Sequence, residues 1–202
     1  MKKLVLVVTS FLLYNSALIA QQSFDRKAVL AEMELANKYF MDKWPDTGKT
    51  IITNKERPSN IWTRGVYYEG LMALHEIYPK DVYYQYAYDW AESHKWGFNG
   101  GNTTRNADNY CAAQTYIDLY NLEPDAKKLK NTKANMNMLL NTPQLDDWSW
   151  IDAIQMGMPV FAKMGVLEND NRYYEKMYDM YMYSRDKHGD NGLYNPKDGL
   201  WW

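Results

Sequence analysis

The feature that most constrains this chain is a repeat of 44 to 45 residues. Three segments end alike: Ile77-Tyr78-Pro79-Lys80-Asp81, Asn121-Leu122-Glu123-Pro124-Asp125 and Val166-Leu167-Glu168-Asn169-Asp170. Their closing aspartates stand 44 and then 45 residues apart. A fixed period of this kind means stacked supersecondary units, each too small to bury its apolar face alone. Each aspartate precedes a helical pattern and is assigned to N-capping, where its side chain accepts from an orphan backbone N–H. A more apolar helix comes before each cap (62–78, 108–120 and 151–164), and a more polar one after it (82–94, 126–140 and 171–185). An opening helix over 24–43, with Val29, Met33, Ala36, Phe40 and Trp44 on one face, brings the total to about seven. Pro159, inside the third apolar helix, should kink it or remove a bond. Strand alternation is nowhere sustained, so the fold class is all-α.

Apolar helices paired with polar ones fit a partial six-hairpin (α/α)6 toroid, with inner helices around a central cavity and outer helices behind them. A HEAT-type solenoid has a similar period of about 40–47 residues, whereas tetratricopeptide units, at about 34, do not. Loop size separates the two. The connectors from each outer helix to the next inner one (95–107, 141–150 and 187 onward) are long. Helix–helix connections usually run to about 2–8 residues. Long connectors at one end of a toroid would make a ligand-binding rim. A full ring of six such pairs needs more than the 202 residues present, and the chain ends on Trp201-Trp202 inside the third connector. The expectation is a fragment: residues 21–202 as the N-terminal part of a barrel domain.

Residues 1–20 read as a secretory signal peptide, with Lys2 and Lys3 ahead of an apolar run over 4–13 and an exit at Ala20. That run is shorter than a membrane span of about 20 residues. The expected location is therefore exported, periplasmic or secreted, with no membrane association once the leader is removed. Cys111, the single cysteine, has no internal disulfide partner and sits in an apolar run, which reads as a buried, inert thiol. The net charge is −2 and no Lys/Arg stripe occurs, which removes the electrostatic motive for binding nucleic acid. The chain holds 18 Tyr and 8 Trp against 5 Phe. Such amphipathic rings suit either core filling or the stacking of sugar rings.

Overlaying the repeats puts Trp62, Asn106 and Trp150 in register, and likewise Arg64, Asp108 and Asp152. Two acids thus occupy one position at the start of successive inner helices. Helix starts favour aspartate through the macrodipole alone. The catalytic alternative draws on Trp148, Trp150 and Tyr110, which would desolvate the carboxyls and keep one protonated as a general acid. Arg64 and Arg105 are candidates for binding an anionic substrate, with surface solvation as the competing fate. Trp62, Trp148 and Trp150 are candidates for stacking sugar rings, with core packing as theirs. His188, in the last connector, is a further candidate contact. His75, His94 and His188 share no metal-ligand spacing, so no metal and no cofactor are expected. The glycines of 97–101 lack phosphate-loop spacing and read as a flexible loop.

The run from Trp150-Ile151-Asp152 through Gln155-Met156-Gly157-Met158-Pro159 to Lys163-Met164-Gly165 resembles a signature of the unsaturated uronyl hydrolases, glycoside hydrolase families 88 and 105. Asp108-Asn109-Tyr110, Gly192-Leu193-Tyr194 and Gly199-Leu200-Trp201-Trp202 are also similar to family 105, the rhamnogalacturonyl type. The resemblance implies an (α/α)6 barrel and a hydration reaction. The terminal 4,5-unsaturated uronate of a lyase-generated oligosaccharide is protonated at C4 and takes water at C5, and the hemiketal then falls apart. It also implies Asp152 as general acid/base and Asp108 as the second aspartate, positioning substrate and water. Two other outcomes remain open: a different two-carboxylate toroid glycosidase, and a non-catalytic glycan- or protein-binding helical scaffold.

Overall fold

Apolar spacing at three and four residues dictates helices, and the computed structural model, which describes residues 25–201, is built of them. The expected signal peptide over 1–20 and the terminal Trp202 lie outside the described residues. The described residues fall into two compact units, one ending at Lys43 and one beginning at Trp44. In the first, α1 spans Arg26–Lys43, and Asp25 caps it by accepting from Lys27 N–H at 3.0 Å.

The second unit carries α2 (Trp62–Ile77), α3 (Asp81–Ser93), α4 (Ala107–Tyr110), α5 (Ala113–Leu122), α6 (Ala126–Leu140), α7 (Ile151–Glu168) and α8 (Arg172–Asp186). Helices α4 and α5 are two pieces of one inner helix, since the intervening Cys111 and Ala112 keep right-handed helical torsions. Three antiparallel hairpins result: α2 with α3, α4/α5 with α6, and α7 with α8. The inner helices α2, α5 and α7 pack side by side, α5 touching both neighbours. This is a partial all-α toroid. Residues 110–117 are buried throughout, because α4/α5 is flanked by inner helices on both sides and backed by α6.

Two short antiparallel pairs are additions to the all-α expectation. Strand β1 (Ile51–Ile52) pairs with β2 (Glu56–Arg57), Ile51 opposite Arg57, and β3 (Tyr194–Asn195) pairs with β4 (Leu200–Trp201), Tyr194 opposite Trp201. Two-residue strands are too short to leave an alternating pattern in sequence.

The capping expectation holds in two places and shifts in the third. Asp125 accepts from Lys127 N–H at 2.9 Å, and Asp170 accepts from Arg172 N–H at 3.0 Å. Asp81 is instead the first helical residue of α3, after Lys80, and makes no cap bond. It serves through charge at the positive end of the helix dipole.

Pro159 leaves α7 continuous from Ile151 to Glu168. Proline has no N–H to offer the carbonyl four residues back, at Gln155. Gln114 on α5 fills that vacancy, its Nε2 donating to the carbonyls of Gln155 at 3.2 Å and Met156 at 3.3 Å. The missing intrahelical bond has become an interhelical one.

The 97–101 segment is also not a loose loop. The Gly97 carbonyl accepts from Asn60 Nδ2 at 3.0 Å and from Tyr116 OH at 2.9 Å. Asn131 donates to the carbonyls of Lys95 and Trp96, and the rings of Trp96 and Phe98 are buried. Glycines suggested mobility, but the packed aromatics beside them fix the segment.

Candidate active site

The inner helices run parallel, so their N-terminal ends share one end of the unit, where the long connectors lead in. Asp108 stands in the first turn of α4 and Asp152 in the first turn of α7. Asn106 caps α4, its Oδ1 accepting from Asp108 N–H at 2.8 Å, which fixes the backbone that carries the acid. Burial raises the Asp108 pKa, the negative charge of Asp152 raises it further, and the positive charge of Arg57 opposes both. The charge of Asp152 therefore reaches Asp108. Asp108 is half-buried and Asp152 is exposed.

The aromatic neighbours of the two acids take different places in the fold. Trp148 and Tyr110 are fully buried and point into the core. Trp148 Nε1 donates to Tyr110 OH at 2.7 Å, and its indole lies edge-on to Phe161 and against Gly157. A Cβ at position 157 would stand 2.6 Å from that Nε1, so α7 needs glycine there. Trp148 thus takes the core role, tying the lead-in of α7 to α4. It does not present a face to a sugar. Trp150, half-buried, and Trp62, exposed, stand at the starts of α7 and α2, where stacking remains sterically open.

The expected anion-binding arginines are committed elsewhere. Arg64 is buried, with its guanidinium 3.8 Å above the Trp44 ring, and desolvation lowers its pKa. Arg105 forms a bidentate pair with Asp147, Nε to Oδ1 at 2.6 Å and Nη2 to Oδ2 at 2.5 Å. Asp147 is nearly sealed from solvent, at 2% side-chain exposure, so this pair ties the Asp108 connector to the Asp152 connector. His188 lies in a 3₁₀ turn after α8, and no described hydrogen bond or ring contact brings it to either acid.

Sequence reasoning missed Arg57. It lies on β2, outside the repeat overlay, and nothing in its local sequence marks it. Its Nε donates to Thr53 Oγ1 at 2.9 Å and its Nη2 to Asn54 Oδ1 at 3.1 Å.

Further along the inner helices lies a second polar group. Gln155 donates to Glu69 at 2.8 Å, and Lys163 pairs with Asp118 at 2.5 Å. Glu69, Asp118 and Lys163 line part of a cavity of about 530 Å³ together with Met72 and Gln114. Cys111 is buried as expected, its Sγ against the Asp108 carbonyl at 3.3 Å, and burial pushes the thiol pKa up. Among the described residues no three His, Cys, Asp or Glu side chains are grouped to hold a metal ion.

A polysaccharide lyase of known structure superposes with a TM-score of 0.75 at 25% identity, over 87% of this chain and 49% of its own. A glycosyl hydrolase family 88 structure from Bacteroides vulgatus also superposes at 0.75, with 24% identity over 88% of this chain and 51% of its own. The chain spans about half the length of each. None of the curated proteins compared matches it in sequence. The sequence profile of Glycosyl Hydrolase Family 88 matches residues 32–202, and the chain belongs to that family.

Proposed function

We propose that the chain is the N-terminal part of an exported hydrolase acting on lyase-generated oligosaccharides that end in a 4,5-unsaturated uronate. The observation that carries this reading is the pair of aspartates, one from each of two successive repeats, that open two inner helices at one end of the unit, where the charge of Asp152 reaches Asp108. Burial and a neighbouring negative charge both favour the protonated form of Asp108, which suits a site that handles a proton. Asp152, open to solvent and so to substrate, gives its proton to C4 of the vinyl ether. Positive charge then develops at C5 and the ring oxygen. Water adds at C5 and returns a proton to Asp152, and Asp108 orients that water and the substrate. The C5 hemiketal opens, and the glycosidic bond at C1 breaks as the resulting open-chain hemiacetal collapses.

The near-ultraviolet absorbance of the C4–C5 double bond tests this directly. Incubation with unsaturated uronyl disaccharides should abolish the absorbance, and Asp152→Asn should stop the loss while leaving substrate binding in place. Full activity in that variant overturns the assignment. Rising absorbance on an intact uronate polymer would mean elimination, the chemistry named for the lyase neighbour. Release of sugar without any absorbance change would mean ordinary two-carboxylate hydrolysis. Binding without turnover, indifferent to Asp152, would mean a scaffold.

A further inference from the structure

A uronate brings a further negative charge to a rim that already holds two acids. Unless a cation or a set of N–H donors meets it, the site repels its own substrate. Arg64 and Arg105 are unavailable, one lying over an indole in the core and the other locked in a bidentate pair. The 44–61 connector supplies an alternative.

Its position is set by anchors on both sides. Asn60 donates to the Gly97 carbonyl, and Ser59 donates to the Thr47 carbonyl at 2.9 Å while its own carbonyl accepts from Trp90 Nε1 at 3.0 Å. From Gly97 the chain runs to Asn99, whose Nδ2 donates to Asn109 Oδ1 at 3.0 Å, one residue past Asp108. The β1–β2 hairpin is therefore moored to the same connector that delivers the acid. Arg57 is the cation whose charge reaches Asp108. Neutral oxygens of Thr53 and Asn54 hold one edge of the guanidinium, which forms no ion pair with any described residue. A guanidinium oriented by neutral acceptors, with N–H groups to spare, is prepared for a planar carboxylate.

We propose that Arg57 is a specificity-determining residue that receives the carboxylate of the substrate uronate. This rests on the uronate reading above and adds a recognition element to it. The test compares wild type, Arg57→Gln and Arg57→Lys on 4,5-unsaturated digalacturonate and on its methyl ester, with thermal unfolding as a check on folding. Loss of a charge-assisted contact should raise KM for the acid about 10- to 100-fold in Arg57→Gln. The shift in kcat should be smaller, KM for the neutral ester should stay put, and Arg57→Lys should recover part of the loss. Equal effects on acid and ester, or an unchanged KM for the acid, overturn the role of Arg57 and leave the uronate reading standing. If wild type turns over neither compound, the uronate hydrolase reading fails for this chain, and binding decides the role of Arg57. Saturated galacturonate should then bind in an NMR titration where galactose does not, and Arg57→Gln should abolish that binding. Galacturonate that binds both proteins alike, or neither, overturns the proposal.

Discussion

The inner helix that carries Asp108 and the one that carries Asp152 begin at the same point of the repeat, yet they are built differently. α4/α5 is a two-piece helix enclosed between neighbours, and its acid is half-buried against the field of Arg57. α7 is a single helix of 18 residues whose acid is exposed. Period fixes where a backbone goes. The connectors decide what each carboxylate feels, and they have little in common.

Four contacts near the two helices can be broken to sharpen that difference. The largest effect belongs to Trp148, which ties the lead-in of α7 to Tyr110 and to Ser184, whose Oγ donates to the Trp148 carbonyl at 2.7 Å. Trp148→Ala removes a fully buried indole and should cost about 3–5 kcal/mol in urea unfolding. Activity lost without that loss of stability would mean that Trp148 meets substrate after all. Next comes the Arg105–Asp147 pair. Arg105→Ala leaves a buried carboxylate without its counterion, and some solvent access at the arginine moderates the penalty to about 2–3 kcal/mol. Adding Asp147→Leu should recover much of it. A double variant as unstable as the single would show that packing of the Arg105 stem, and not charge, holds the connectors together.

The Gln114–Pro159 substitution of one bond for another is smaller. Gln114→Ala should cost about 1–2 kcal/mol, since it leaves the Gln155 carbonyl without its donor. In a Pro159→Ala background the backbone N–H returns and the cost should shrink. Additive losses in that double-mutant cycle would show that Gln114 acts through packing alone.

Helix count, the alternation of inner and outer helices, and the shared register of the two acids were legible because all three follow from periodicity. So was Cys111, because it sits in the short apolar run Tyr110-Cys111-Ala112-Ala113. Roles that depend on contacts between segments were not legible. Trp148 and Trp150 stand two residues apart in one connector, and only packing against Gly157 and Phe161 sends the first inward. Arg105 looks like a rim cation until Asp147, 42 residues on, is seen to close on it. Arg57 carries no mark at all, because its importance comes from a hairpin of two-residue strands and from the Asn60–Gly97 bond.

The smallest effect is the most diagnostic of how the two acids differ. Because burial and Asp152 raise the Asp108 pKa, the folded state binds its proton more tightly than the unfolded chain, where an aspartate titrates near about 3.9. The folded protein therefore carries the extra proton between that value and the raised one, and stability falls as pH rises through this window. Above it the ionised Asp108 is a standing cost. Asp108→Asn removes that cost, so the variant should unfold at a higher temperature than wild type near neutral pH. Its advantage should fade as the pH drops below the unfolded aspartate value. The two charges that act on Asp108 can then be separated by carboxyl NMR titration: Asp152→Asn should lower its pKa and Arg57→Gln should raise it. If neither substitution moves that titration, the two helix starts do not share a field, and equivalence by register would be all that links the acids.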